Sequence, residues 1–165
     1  MTTILVISDT HSSHIAQLEP GVVQAIGEAD ILVHCGDYTQ KTLLDELRAK
    51  ARRFVGVYGN VDSSDIRNEL QSRQVLEVDG KKIGVAHPHW GGPPIGIEEA
   101  LLAEFRGVDV IVFGHTHEAD KRMMSGVLVL NPGQAYASWG VPATVGVLTI
   151  SDGKIEGEIR VIKQG

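Results

Sequence analysis

Short motifs of aspartate, asparagine and histidine recur along the chain, and each follows a run of apolar residues. They are Asp9-Thr10-His11, Gly36-Asp37, Gly59-Asn60-Val61-Asp62, His87-Pro88-His89 and Gly114-His115-Thr116-His117. Carboxylate, amide and imidazole groups are the side chains that bind divalent metal ions through oxygen and nitrogen. The chain has seven histidines in 165 residues, and four of them fall in two His-x-His pairs. Metal binding is therefore the first chemistry to consider.

The number of donors favours more than one ion. The metal-ligand candidates are Asp9, His11, Asp37, Asn60, His87, His115 and His117. A tetrahedral zinc ion takes only four ligands, whereas a set of this size suits two five- or six-coordinate ions that share a carboxylate. Any one of these motifs is more often an ordinary turn, because short polar residues favour turns. Five of them in succession predict a metal centre.

The elements that must position these donors can be predicted from the apolar runs. Strands are predicted over 3–8, 31–35, 54–58, 82–86 and 108–113, directly before the motifs, and helices over 18–28, 41–51 and 97–105. Further strands are predicted over 75–78, 127–130, 143–150 and 154–163. The carboxyl ends of parallel strands open into a common crevice, so we expect the donors to share one rim. The pattern predicts an α/β protein with two packed sheets and helices outside.

Composition limits the classes of function. The length predicts a single domain over residues 1–165, with 42% hydrophobic residues and a net charge of −6. This acidic balance argues against a stable nucleic-acid complex, which needs a basic face. The chain has one cysteine and therefore no internal disulfide. The sequence shows neither a signal peptide nor an apolar run long enough for a membrane span, and we expect a cytoplasmic protein.

The order of the motifs from Ile4 to Gly133 resembles that of the calcineurin-like metallophosphoesterases. The opening Ser8-Asp9-Thr10-His11 and the later Asn131-Pro132-Gly133 are similar to those of the small archaeal and bacterial phosphodiesterases of that superfamily. The resemblance implies a four-layer α/β/β/α sandwich. It also implies a homodimer or homotetramer, because relatives of this size often form them.

The resemblance also implies how the ligands divide between two ions. Asp9, His11, Asp37 and His117 would hold one ion. Asp37 would bridge to the second ion, held also by Asn60, His87 and His115. Manganese is the expected metal, with nickel, iron, cobalt and zinc as variants. His89 is an alternative ligand to His87, but the order of the family motifs favours His87.

The resemblance further implies hydrolysis of a small phosphodiester by a hydroxide that bridges the two ions. Family members often carry a histidine after Gly-Asn that assists the leaving group, and here that residue is Val61. Asp62, which orients this histidine in the family, has no such partner. His14 and His89 are candidates to supply the proton instead. The expected catalytic set is Asp37, Asn60, Asp62 and His89.

Alternative functions are open at this point. The same fold with an altered metal site resembles a subunit of the eukaryotic retromer coat, which acts as a scaffold. A DNA nuclease of the superfamily usually needs additional domains. Cys35 beside His34 could form a thiol nucleophile, although a cysteine at the end of an apolar strand is usually inert. His34, inside a predicted strand, is expected to be a core residue.

Overall fold

The computed structural model describes residues 1–88 and 95–165. Its first sheet has the strand order β10-β9-β1-β2-β3. The strands are β1 (Thr2–Ile7), β2 (Ile31–His34), β3 (Phe54–Gly56), β9 (Ala143–Ser151) and β10 (Lys154–Lys163). β1, β2 and β3 are parallel, whereas β9 pairs antiparallel with both β1 and β10.

The second sheet has the strand order β4-β5-β6-β8-β7. Its strands are β4 (Arg73–Val78), β5 (Lys81–Ala86), β6 (Val110–Phe113), β7 (Asp120–Met124) and β8 (Val127–Asn131). β5, β6 and β8 are parallel to one another, and the edge strands β4 and β7 are antiparallel to their neighbours. Both sheets are therefore mixed.

Helices cover the outer faces of the two sheets. They are α1 (Pro20–Glu28), α2 (Lys41–Lys50), α3 (Ser64–Glu69) and α4 (Ile97–Glu104), together with a short 3-10 helix (Ile15–Gln17). The side chains of α1, α2 and α3 pack on the first sheet, and those of α4 pack on the second. A third apolar cluster, which includes Val6, Val33, Val85 and Val112, lies between the sheets. This confirms the predicted α/β/β/α sandwich.

Among the described residues, the sequence pattern missed α3, β7 and the short 3-10 helix. Helix α3 buries a single apolar side chain, Ile66, and is too short to show a helical repeat. Strand β7 is an exposed edge strand that contains Asp120, Lys121 and Arg122, so it lacks the apolar alternation of a half-buried strand. Within the described residues, no helix is long and apolar enough to span a membrane.

Candidate metal centre

The predicted donors lie on loops at the carboxyl ends of five strands that belong to both sheets. The loops after β1, β2 and β3 come from the first sheet, and those after β5 and β6 from the second. Backbone bonds join the loops after β1 and β2, because Asp9 N donates to Gly36 O at 3.0 Å and His11 N to Asp37 O at 3.2 Å. The sequence alone predicts a shared rim, and the structure divides that rim between two facing sheets.

Five of the seven donor residues adopt the left-handed backbone conformation. The φ angles are 53° at Asp9, 43° at His11, 64° at Asp37, 89° at His115 and 64° at His117. Residues other than glycine pay for this conformation in free energy, and it persists only where surrounding contacts enforce it. Its concentration on these loops shows a site whose backbone is held by the rest of the fold.

One group of donors contains Asp9, His11, Asp37 and His117. Each residue of this group offers one ligand atom, and these atoms all lie within 4.8 Å of one another. His117 Nε2 is 3.4 Å from Asp9 Oδ1, and His11 Nε2 is 3.7 Å from Asp37 Oδ2. Ligands about 2.1 Å from one ion are separated by about 3 to 4 Å, so this spacing fits a single ion.

A second group surrounds the side-chain oxygen of Asn60. This oxygen lies 2.8 Å from His87 Nε2 and 3.1 Å from His115 Nδ1. His87 Nδ1 donates to the carbonyl of Cys35 at 2.8 Å, because a carbonyl oxygen can only accept. The other ring nitrogen, Nε2, therefore faces the oxygens of Asn60 and Asp37, and a cation between them would satisfy all three atoms.

Asp37 connects the two groups through one oxygen. Its Oδ2 lies 3.7 Å from His11 Nε2 and 3.3 Å from His87 Nε2, while Oδ1 accepts the Val61 N–H at 3.0 Å. Burial raises the pKa of this carboxyl, but His87, the Val61 N–H and His11 outweigh burial and hold the pKa at about 2. The carboxylate is therefore ionised at neutral pH and faces both groups of donors.

The residues present fit divalent cations. Asp9 Oδ1 is buried and has no hydrogen-bond partner among the described residues, and burial raises the pKa of the Asp9 carboxyl. His117 Nε2 and His11 Nε2 lie 3.4 and 4.0 Å from this oxygen, and neither makes a hydrogen bond to it. A buried carboxylate oxygen without a partner is costly, and a metal ion among these atoms would compensate for it.

The Asp62 carboxylate holds two of the donor loops together through hydrogen bonds to their backbone. Its carboxylate accepts three backbone N–H groups, from Asp37 at 2.9 Å, Thr39 at 2.8 Å and Gly59 at 2.7 Å. Gly59 sits so close to Asp37 that a Cβ added there would overlap the Asp37 carboxylate. Asp62 therefore ties the loop after β2 to the loop after β3, and both of its oxygens are used in doing so.

Gln134 orients His117 and was missed by the sequence pattern. His117 Nδ1 lies 3.1 Å from Gln134 Oε1, while Gln134 Nε2 donates to Tyr136 O at 2.8 Å and to Ser138 Oγ at 2.9 Å. The amide oxygen can only accept, so His117 Nδ1 carries the proton and Nε2 is left to face Asp9. The ring of Tyr136 lies beside this site, 6.1 Å from His11 between ring centroids.

His34 is a core residue, as predicted. It is fully buried and stacks on Tyr38 with 3.7 Å between ring centroids. Its Nδ1 accepts the Gly36 N–H at 3.0 Å, so Nε2 carries the proton and donates to Thr10 Oγ1 at 3.0 Å. Burial lowers the pKa of His34 to about 3. The neutral ring thus links the loops after β1 and β2.

Three further residues are candidates from the sequence for a proton donor, a nucleophile or an alternative ligand: His14, Cys35 and His89. His14 is exposed and pairs with Glu46 of α2, with 3.0 Å between Nδ1 and Oε1. Burial raises the pKa of the Cys35 thiol well above its ordinary value, which argues against the thiol nucleophile. His89 lies outside the described residues, so its role as a proton donor or alternative ligand stays a prediction.

Comparison with known proteins adds family information. Residues 2–153 match the model of the calcineurin-like phosphoesterase superfamily domain. A probable metallophosphoesterase of Methanocaldococcus jannaschii is 34% identical over 161 residues, which cover 96% of this chain and 81% of the relative. A phosphodiesterase of the same organism is 28% identical over 157 residues, covering 87% of this chain and 90% of the relative.

Solved structures show a similar fold. The crystal structure of wild-type Vps29 from Entamoeba histolytica in complex with Zn²⁺ superposes with a TM-score of 0.73 and is 27% identical in sequence. The match covers 97% of this chain and 99% of that one. The likeness therefore extends over the sandwich described above, and not over one sheet alone.

Proposed function

Because the chain belongs to the calcineurin-like phosphoesterase superfamily, we propose that it is a phosphodiesterase with two divalent metal ions in its active site. The observation that carries this proposal is the position of Asp37, whose Oδ2 faces His11 from one donor group and His87 from the other. A single ion would leave one of these groups unused. The phosphodiesterase relative supports a phosphodiester as the substrate.

The proposed ligands divide as the two donor groups do. Asp9, His11, Asp37 and His117 would hold one ion, and Asp37, Asn60, His87 and His115 the other. Oxygen and nitrogen donors of this kind accept several divalent ions, with Mn²⁺ proposed and Ni²⁺, Fe²⁺, Co²⁺ or Zn²⁺ as variants. Two such ions supply a water-derived nucleophile at neutral pH and positive charge beside the phosphoryl oxygens.

The chain itself contributes orientation. Asp62 holds the loops that carry Asp37 and Asn60, and we assign it a positioning role because its oxygens are occupied by backbone N–H groups. The Arg67 guanidinium donates to Asn60 O at 2.9 Å and so fixes the same loop from α3. Preorganised donors of this kind do not have to rearrange during the reaction.

The described part of the site has no side chain at position 61 that could donate a proton to the leaving group. Val61 is 46% exposed beside Asn60, and its side chain cannot donate a proton. General acid catalysis is typically worth about 10²- to 10⁴-fold in rate. We therefore expect aryl diesters, whose leaving groups need no proton, to be hydrolysed much faster than alkyl diesters.

The experiment is a series of diesters with leaving groups of graded pKa, assayed with Mn²⁺ and again after EDTA. We expect activity only with the metal, and a steep fall in log kcat as the leaving-group pKa rises. If log kcat does not change with the leaving-group pKa, the claim that the site lacks a general acid is wrong. In that case His14→Ala and His89→Ala, assayed on an alkyl diester, would show whether either histidine supplies the proton.

A scaffold role is the second candidate, since Vps29 shares the fold at a TM-score of 0.73. The two proposals differ in outcome. Metal-loaded protein that hydrolyses none of the activated diesters would favour the scaffold. Activity that is lost in Asp37→Ala but kept in Asp45→Ala, an exposed control on α2, would favour the enzyme.

A further inference from the structure

An exposed tryptophan lies five residues after Gln134, the residue that orients the metal-ligand candidate His117. The Trp139 side chain is as exposed as in an extended peptide, with a relative exposure of 102%. Tryptophan buries a large apolar surface in most proteins, so an indole this exposed is a candidate to contact a ligand. Its neighbours in the chain, Ser138 and Gly140, are small and exposed.

The tryptophan occupies the tip of a tight hairpin. Ser138 N donates to Val141 O at 3.0 Å and Val141 N donates to Ser138 O at 2.9 Å, which leaves Trp139 and Gly140 as the two turn residues. Gly140, the second of the two, has a φ of 77°, as in a type II turn, which favours glycine at that position. Its backbone is therefore defined although its side chain is free in solvent.

The hairpin is attached to the metal site. Gln134 Nε2 donates to Ser138 Oγ at 2.9 Å, and the oxygen of the same amide lies 3.1 Å from the metal-ligand candidate His117. The ring of Tyr136, between these residues, lies 6.5 Å from that of His117. Ala135 N also donates to Ser8 O, next to Asp9, at 3.3 Å. The segment leading to Trp139 thus runs along the rim of the site.

We propose that Trp139 determines substrate specificity by stacking on the base of a nucleoside phosphodiester whose phosphate lies at the metal centre. This inference rests on the proposed function and names its substrate class. A nucleobase is flat and uncharged at neutral pH, and every base presents a π face to an indole. The phosphate would be bound by charge and the base by stacking, so the two ends of the ligand use different parts of the rim.

The first experiment measures binding without catalysis. Isothermal titration of the metal-loaded protein compares adenosine 5′-monophosphate with ribose 5-phosphate, which has the phosphate but no base. We expect the adenosine compound to bind roughly tenfold more tightly to the wild type. Trp139→Ala should abolish this difference and Trp139→Phe should keep most of it. Met123→Ala, at another exposed apolar residue (65%), is the matched control and should change nothing.

The second experiment compares thymidine 5′-(p-nitrophenyl phosphate) with methyl p-nitrophenyl phosphate, two diesters with the same leaving group. Trp139→Ala should raise KM for the thymidine compound by roughly tenfold and leave its kcat and the methyl substrate unchanged. If the enzyme hydrolyses both and the variant affects them equally, the stacking is wrong and the proposed function stands. If neither is hydrolysed, the proposed function fails, while the binding ratio still tests the stacking.

Two results would overturn the inference outright. One is equal affinity of the wild type for adenosine 5′-monophosphate and ribose 5-phosphate. The other is a Trp139→Ala variant that sediments as a smaller species than the wild type, because Trp139 would then lie in an interface between copies of the chain.

Discussion

At both ends of the sandwich, residues other than glycine adopt the left-handed backbone conformation. At the end away from the donor loops they are Asp79, Ser125 and Asp152, with φ of 49°, 50° and 51°. Each is followed by a glycine and forms a two-residue hairpin between adjacent strands. These turns match the right-handed twist of paired strands, so the conformation is favoured locally.

At the donor end the same conformation has no such local reason. Asp9, His11, Asp37, His115 and His117 lie on loops that do not connect hairpin strands, and their backbones are held by contacts from distant parts of the chain. One such contact is Asp9 Oδ2, which accepts the His115 N–H from 106 residues away at 3.1 Å. In the hairpins, the local turn sequence is enough to set the left-handed conformation. At the donor end, contacts from the rest of the fold are needed to hold it.

The largest expected effect concerns the carboxylate that faces both donor groups. Asp37→Ala should lower kcat for bis(p-nitrophenyl) phosphate by roughly 10³-fold, because it removes charge stabilisation at the centre of the site. Asp152→Ala, at a hairpin with a similar φ, should leave kcat unchanged. Metal analysis should show less bound metal in the first variant only. Equal activity of the two variants would contradict the claim that the donor end carries the activity and the hairpin end does not.

A pair of glycine substitutions compares the ends directly. Gly59→Ala should reduce activity by about 10²-fold, since the added methyl group would overlap the Asp37 carboxylate and displace it. Gly153→Ala places its methyl group in open space at a φ of 72°, so it should cost only about 1 kcal/mol of stability and no activity. Urea unfolding and steady-state assays of both variants test this. A Gly59→Ala enzyme of normal activity would show that the donor loops adapt freely.

A smaller effect is expected from the partner of His117. Gln134→Leu removes the acceptor at 3.1 Å that orients the imidazole, and loss of such a partner typically weakens metal binding about 10- to 100-fold. Competition with a fluorescent chelator measures the affinity. Gln24→Leu, on the exposed face of α1, is the control. Unchanged metal affinity in Gln134→Leu would mean that packing alone orients His117.

The smallest effect is a pH dependence located at the donor end. The pKa of His34 is lowered by burial to about 3 in the folded protein, against an ordinary value of 6.5. Between these values the unfolded chain binds a proton that the folded chain does not. The contribution of His34 to stability is therefore complete above pH 6.5 and is lost as the pH falls toward 3.

His34→Gln removes this titration. In metal-free protein, the free energy of unfolding of the variant should fall less steeply with acid than that of the wild type, by at most about 1.4 kcal/mol per pH unit. Urea unfolding at intervals from pH 7 to about 4 provides the measurement. Parallel curves for the two proteins would show that His34 is protonated in the fold.

The sequence predicts one part of this molecule better than the other. Buried strands such as β6 appear as apolar runs, and the polar residues that end them, His115 and His117, stand out at once. The division of the donors between two sheets could not be predicted, because strand order depends on pairings such as β1 with β9 that leave no local pattern.

The supporting residues were hidden for a similar reason. Gln134 reaches His117 across 17 residues, and Arg67 acts from α3, a helix too short to recognise. The hydrogen bond to Asp9 Oδ2 could not be predicted either, because its donor is the backbone N–H of His115, which is distant in sequence. Donor types follow from residue identity, whereas the partners that orient them follow from tertiary contacts.

The position of β1 in its sheet has a consequence for how the protein is made. β1 lies between β2 and β9, so Thr2 pairs with Ile150 although nearly the whole chain separates them. During synthesis β1 leaves the ribosome early. One of its edges can pair with β2 soon afterwards, but the other edge stays unpaired until β9 has been made. Non-local pairings of this kind slow folding and leave strand edges open to other chains. The free edge of β1 is therefore open to pairing with other chains until β9 has been made and covers it.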